Sequence, residues 1–387
     1  MMPLIKIWTD KHIQGDPIIW LVVICLSVIS ILVVYSATGS LAYKQQSGNT
    51  EFYLIRHTMM VGLGLLVMWI AHKIDFRYYS KIAQVAMMIS VPLLLYTWLY
   101  GSNINEASRW IQLPFVGLQF QPSDLAKMAL IAGLASMLAK RQQNIEDFKK
   151  SLLPMLWWCG AICGLIAMTN VSTAILLFLT CMLLLFIGRV PMKYLAMLAL
   201  VGVFVGVIAG SVGQRGNTAV SRVQDFMSQS EVPYQAEQSY IAIATGGILG
   251  KGPGKSDQRN FLPHPYSDFV YAIIIEEYGM IGGLFVLFLY LVLLYRGMKV
   301  VANSDRAFGG LLSAGLSFAI VIQALVNIGV VVGLGPVTGQ TLPLISMGGT
   351  SLLFTGLSLG IVLSVSRGEQ ADFDAVAGVV KNKAKAI

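Results

Sequence analysis

The sequence predicts an all-α integral membrane protein, one bundle of about ten transmembrane helices with a large extracellular loop between the seventh and eighth. Three observations carry that reading. Hydrophobic residues make up 56% of the chain and charged residues 12%, against about a quarter charged in a soluble domain. Apolar runs of bilayer-spanning length recur along nearly all 387 residues, and the mean hydropathy is +0.70. The basic residues gather in alternate short loops, so the net charge of +8 reflects topology and not a nucleic-acid partner.

A window of about 20 residues places spans at 17–38, 54–72, 81–100, 122–140, 152–169, 171–188, 193–213, 268–295, 307–332 and 342–366. The first run is too long for a signal-peptide core and lacks a small-residue cleavage site, so it is expected to stay as a span. The fifth and sixth form a tight pair around Thr169 to Ser172. Residues 213–267 are the one sizeable non-membrane element, polar and glycine-containing. The tail 367–387 carries Lys381, Lys383 and Lys385, which suit an anchor or a weak contact with anionic membrane lipids. Residues 1–387 therefore read as a single polytopic domain. The four cysteines, Cys25, Cys159, Cys163 and Cys181, all lie inside apolar segments and read as packing residues, not as disulfide partners or metal ligands.

The loops orient the bundle. One side carries Lys73, Arg77, Lys81, Lys140, Arg141, Lys149, Lys150, Arg189, Lys193, Arg296, Lys299 and Arg306; the short loops opposite offer Lys44, Arg56 and Arg109. That asymmetry puts both termini in the cytoplasm and 213–267 outside.

Four stretches carry chemistry, and all map to the outer face. The most telling runs from Phe261 to Gly283, where a polar loop closes on Asp268 and leads into apolar sequence holding Glu276 and Glu277. If a helix begins near Asp268, Glu277 lies about 13 Å deeper, and intramembrane carboxylates imply a cavity they shape or gate. Adjacent residues stand about 100° apart on a helix, so only one of the two is expected to face that cavity. The second stretch is Ala107-Ser108-Arg109-Trp110 with Gln121-Pro122-Ser123-Asp124 and Lys127. Pro122 suits a first helical turn, whose dipole favours Asp124. Asp124 and Lys127 share a helix face and can form a local ion pair. Yet Arg109 and Lys127 are cations where topology asks for none, which suits a phosphate-bearing ligand.

The third stretch, Gln235-Ala236-Glu237-Gln238 followed by Gly246, Gly247, Gly250 and Gly252, allows close backbone approach or a tight turn. A P-loop fails there because Leu249 stands where glycine is needed before Gly254-Lys255-Ser256, so no nucleotide is expected. The fourth, from Asn327 through Gly333, Pro336, Thr338-Gly339, Pro343, Ser346 and Gly348-Gly349, implies irregular backbone at membrane depth. Such backbone is tolerated only where it is buried or lines a wet cavity.

On these residues the chain resembles the SEDS family of bacterial cell-wall proteins, which includes FtsW, RodA and SpoVE. The resemblance spans essentially the whole chain. It is strongest at Arg109-Trp110 with Gln121-Pro122-Ser123, at Leu262-Pro263 to Asp268-Phe269 with Glu276-Glu277-Tyr278-Gly279, and at Pro336 to Gly339 with Ser346 to Gly349. Gln235 to Gln238 and Tyr266-Ser267-Asp268 look more like FtsW than RodA.

What the resemblance implies is a peptidoglycan glycosyltransferase of the bacterial cytoplasmic (inner) membrane. It would polymerise lipid II into a growing glycan strand on the outer face, with a class B penicillin-binding protein and divisome or elongasome proteins as partners. Asp268 matches the family's essential aspartate, Asp124 and Lys127 its acidic residue and lysine, and Arg109 its arginine beside tryptophan. Asp124 replaces a usual glutamate, Asn170 stands where many relatives have aspartate, and Met347 departs beside Ser346. The expected site is thus Asp268 as base or as ligand of a divalent cation (Mg2+ or Mn2+), with Arg109, Lys127, Asp124, Gln121, Trp110 and Ser346 on the substrate. A lipid II flippase, a scaffold and a RodA-like elongation polymerase are the other readings of the same bundle.

Overall fold

The computed structural model describes residues 14–39, 41, 43, 49–104, 107–112, 119–212, 221–222, 224, 226 and 232–385, with backbone alone at 102–104, 107–109, 112, 204–205, 207–212 and 369–385. In chain order the helices are α1 (Pro17–Ala37), α2 (Thr50–Lys73), α3 (Phe76–Tyr100), α4 (Pro122–Arg141), α5 (Leu153–Thr169), α6 (Val171–Ile187), α7 (Met192–Val212), α8 (Tyr234–Gly246), α9 (Val270–Ala302), α10 (Ala307–Val331) and α11 (Thr350–Lys385). Ten of them overlap the ten predicted spans, and α8 lies in the outer loop. Seven are long and apolar enough to cross a membrane, with Val171–Ile187 and Met192–Val203 as shorter apolar helices. In α4, Ser123, Asp124 and Lys127 dilute the apolar run.

Capping residues set where the spans begin. Asp16 accepts from the Ile18 and Ile19 amides at 2.9 and 3.3 Å, with Pro17 in the first turn of α1. Asn49 and Asp75 cap α2 and α3 in the same way. Asn170 explains the tight fifth and sixth pair: its extended backbone ends α5, and its side chain accepts from the Thr173 amide at 3.3 Å to start α6.

Helix α10 lies at the centre, packed against α9, α4, α6 and α11, while α11 runs along α2. The α2–α11 crossing is close because glycines meet there. A Cβ at Gly356 would overlap the Gly64 backbone. Cys159, Cys163 and Cys181 are buried in the core as free thiols. At the end of the bundle that carries α8, a small antiparallel sheet joins α3 to α4: β1 (Ser102–Ile104), β2 (Ala107–Gln112) and β3 (Gln119–Phe120) in that order.

Two expectations need correction. The tenth span begins at Thr350, not at 342; Leu342 to Gly349 are irregular, though Leu342, Leu344, Ile345 and Ser346 are buried. Bilayer core offers no water to such backbone, so its carbonyls must find donors within the protein. Tyr290 donates to the Pro343 carbonyl, Ser30 to that of Ile345 at 2.8 Å, Gln323 to that of Thr341 at 3.0 Å and Asn327 to that of Gln340 at 2.7 Å.

The eighth span is also not one straight helix. Gly279 has φ 70° and ψ −174°, which separates Val270–Tyr278 from Met280–Ala302. The halves fold onto each other, since a Cβ at Gly283 would lie 2.8 Å from Ile275 Cγ1 and 3.1 Å from the Tyr271 hydroxyl. In a straight helix, residues 271 and 283 would stand about 18 Å apart along the axis.

Candidate functional site

A cavity of about 640 Å³ opens at the α8 end of the bundle, and it gathers most of the predicted site. Asp268, Asp124, Lys127, Gln121, Trp110 and Ser346 all line it. Arg109 sits in β2 beside Trp110, but its side chain lies outside the described residues.

Helix α4 begins at Pro122 and so delivers the pair on its first turns. Lys127 Nζ meets Asp124 Oδ1 at 2.8 Å, with the side chains 23% and 6% exposed. The second Asp124 oxygen is buried and has no partner among the described residues. Gln121 is fixed by its amide to Thr350 Oγ1 at 3.3 Å and by its side chain to Ser123 Oγ at 2.9 Å. The β2–β3 pairing of Ile111 with Phe120 brings Trp110 to the same wall.

Asp268 is held from both sides of its backbone. Ser346 Oγ donates to the Ser267 carbonyl at 2.6 Å, and Asn327 donates to the Asp268 carbonyl at 2.8 Å. Its carboxylate accepts from Ser267 Oγ at 2.9 Å. A Cβ at Gly339, which has φ +63°, would stand 3.4 Å from Asp268 Oδ2, so glycine leaves that oxygen open. Ser346 also accepts from the Leu342 amide at 2.7 Å. Its hydroxyl thus ties two backbone groups together while Ser346 lines the cavity.

The glutamates depart from expectation in both depth and direction. Glu277 accepts from Ser36, next to the last residue of α1, whereas the Ile345 carbonyl beside the Asp268 clamp takes Ser30, about 9 Å further along that helix. The half-helix Val270–Tyr278 thus runs from a deep Asp268 back toward the outer end. Glu276 and Glu277 do not line the cavity; both face the segment 251–259 instead.

Sequence reasoning gave no site role to four other residues of the cavity wall: Arg56, read for topology alone, and His57, Arg222 and His264. Ser30 gives its one proton to the Ile345 carbonyl at 2.8 Å, so His57 Nε2, 2.8 Å away, must donate to Ser30. Arg222 donates to the Val337 carbonyl at 3.0 Å. Near Asp268, burial raises the Tyr266 phenol above its ordinary pKa, helped by the neighbouring Asp268 carboxylate.

Chemically, the cavity places one accessible carboxylate, one ammonium and further guanidinium groups around a space large enough for a sugar phosphate. Among the described residues, no group of three or more His, Cys, Asp or Glu side chains gathers to cage a metal. Mg2+ ordinarily takes one or two carboxylates and completes its shell with water and substrate phosphates. Asp268 beside a phosphate-bearing ligand fits that donor set.

Comparison with known proteins agrees over nearly the whole chain. A family model described as cell cycle protein, for FtsW, RodA and SpoVE, matches residues 16–371. Stage V sporulation protein E of Bacillus subtilis is 32% identical over 370 residues, which cover 93% of this chain and 99% of that protein. A probable peptidoglycan glycosyltransferase FtsW of Geobacter sp. is 31% identical over 364 residues, covering 92% and 98%. Among solved structures, a chain from work on the structural coordination of polymerization and crosslinking by a peptidoglycan synthase complex is 26% identical at TM-score 0.73, covering 92% and 98%. The rod shape determining protein RodA of Thermus thermophilus is 26% identical at TM-score 0.67, covering 92% and 97%.

Proposed function

The chain belongs to the FtsW, RodA and SpoVE family of cell cycle proteins, and from that membership we propose that it is a peptidoglycan glycosyltransferase that polymerises lipid II with a class B penicillin-binding protein as partner. The observation that carries this reading is the convergence of Asp268, Asp124 and Lys127 on one cavity, from α4 and from the segment preceding α9. Its site fits in the division machinery, where the FtsW-like residues Gln235 to Gln238 and Tyr266 to Asp268 point.

The reaction joins a sugar hydroxyl to the anomeric carbon of the growing strand. As the new C–O bond forms, Asp268 takes the hydroxyl proton, and the bond to undecaprenyl pyrophosphate breaks with its electron pair leaving on phosphate. A positioned base is worth about 10²–10⁴-fold in such a step. Lys127 stabilises the charge that develops on the departing diphosphate, and Arg109 in β2 shares that role. Asp124 keeps Lys127 oriented through the 2.8 Å contact. If Asp268 instead holds a divalent ion, that ion would supply further charge neutralisation.

The test is glycan synthesis from labelled lipid II by the purified chain with a partner whose transpeptidase site is inactive. The wild type should yield strands and Asp268→Ala none. Equal polymer from both would sink the assignment, and lipid II crossing sealed vesicles without polymer would favour a flippase. If the ion takes part, chelation with EDTA should lower the rate at least tenfold and added Mg2+ or Mn2+ restore it.

A further inference from the structure

The half-helix Val270–Tyr278 is gripped at both ends. At its start, Ser346 and Asn327 hold the Ser267 and Asp268 carbonyls. At its far end, fully buried Glu276 receives Lys251 Nζ at 2.7 Å, Ser256 Oγ at 2.5 Å and the amides of Asp257 and Gln258 at 3.0 and 3.3 Å. Lys251 also meets Asp257 at 2.9 Å. A buried carboxylate is tolerable only with such a set of donors. Burial alone would lower the pKa of Lys251, but Glu276 and Asp257 more than offset it and hold the ammonium above its ordinary value.

Backbone bonds reinforce the grip. The break at Gly279 leaves the helical carbonyls of Glu276 and Glu277 without partners, and the amides of Lys251 and Gly252 supply them, each at 2.9 Å. In return the Gly247 carbonyl accepts from the Met280 amide at 2.9 Å. Every residue from Val270 to Glu277 is buried, so the half-helix moves as a rod about 13 Å long and not as a flexible strand.

We propose that Glu276 and Lys251 form a latch that positions Asp268. The segment 247–258 fixes the tilt of the half-helix about Gly279, and that tilt sets the placement of Asp268 against Lys127 across the cavity. The inference rests on the glycosyltransferase reading, in which Asp268 is the reacting group. Glu276 and Lys251 touch no substrate and act through the rod.

Two measurements on purified protein in lipid nanodiscs test it. With lipid II and the transpeptidase partner, Lys251→Met and Glu276→Gln should each lower turnover about tenfold and leave KM within about threefold, because a small misplacement of the reacting group costs rate and not substrate binding. Lys251→Arg, which keeps donors for both acids, should stay within about twofold of wild type. Without substrate, amide hydrogen exchange in Lys251→Met should quicken across Val270–Tyr278 and stay unchanged across Met280–Ala302. Unchanged exchange in Val270–Tyr278, or an equal loss of turnover in Lys251→Arg and Lys251→Met, overturns the latch. Wild-type protein that makes no glycan is a failure of the enzyme reading instead, and the exchange data judge the latch separately.

Discussion

Asp124 and Asp268 are two carboxylates in one cavity, and their surroundings divide the work between them. Asp124 is 6% exposed and spends one oxygen on Lys127, so it is spoken for before a substrate arrives. Among the described residues, Asp268 has only the Ser267 hydroxyl on its carboxylate, with an open side at Gly339, so it is the one a sugar hydroxyl can reach. Lys127→Met should therefore cut polymerisation at least about 100-fold, the usual cost of losing one stabiliser of developing charge. The variant should remain folded and bound to its partner; unchanged turnover would return Lys127 to a local ion pair. Residues of this kind were legible in sequence because charge in an apolar run is conspicuous. Arg222 was not, because in a polar loop it looks like any solvated cation; its bond to the Val337 carbonyl exists only in three dimensions. His57 did carry a signal, a histidine near the start of a predicted span, and its partnership with Ser30 shows what that signal meant.

At the scale of elements, hydropathy placed ten segments that each overlap a helix but could not see where a span bends. Tyr278-Gly279-Met280 sits in a continuous apolar run, so 268–295 reads as one helix, and Glu277 then falls deep below Asp268. The positive φ of Gly279 reverses that order. Expecting one of the two glutamates to face the cavity followed from the straight-helix assumption and fails with it, since neither lines it. Gly279→Ala should cost about 2 kcal/mol or more, since its Cβ would overlap the Ile248 carbonyl in a conformation that L-residues avoid. Gly160→Ala, in α5 with open space around it, should melt like wild type. Thermal unfolding of the two purified variants decides the point, and equal melting would mean the break tolerates a side chain. The irregular stretch before α11 was legible from its helix breakers, whereas its exact end was not, because Leu342, Leu344 and Ile345 are as apolar as a span.

At the scale of the whole molecule, the bundle has two chemically different ends. Asp16 at the start of α1 pairs with Arg296 near the end of α9, Nε to Oδ2 at 2.8 Å. The basic loops after α2, α4, α6 and α9 share that end by helix alternation, while the cavity opens at the other. The excess of lysine and arginine then predicts that the cavity faces outward. That direction matters for the chemistry, because a lipid-linked donor brings its own leaving group and needs no cytoplasmic nucleotide. Cysteine labelling can read it in intact cells. A cysteine at exposed Lys255 should react with a membrane-impermeant maleimide, and one at exposed Arg77 should react only after permeabilisation. Background should be low, since Cys159, Cys163 and Cys181 are buried and Cys25 lies within α1. The reverse pattern would put Asp268 and Lys127 on the cytoplasmic side, where no glycan strand grows, and the outward-facing polymerase could not stand.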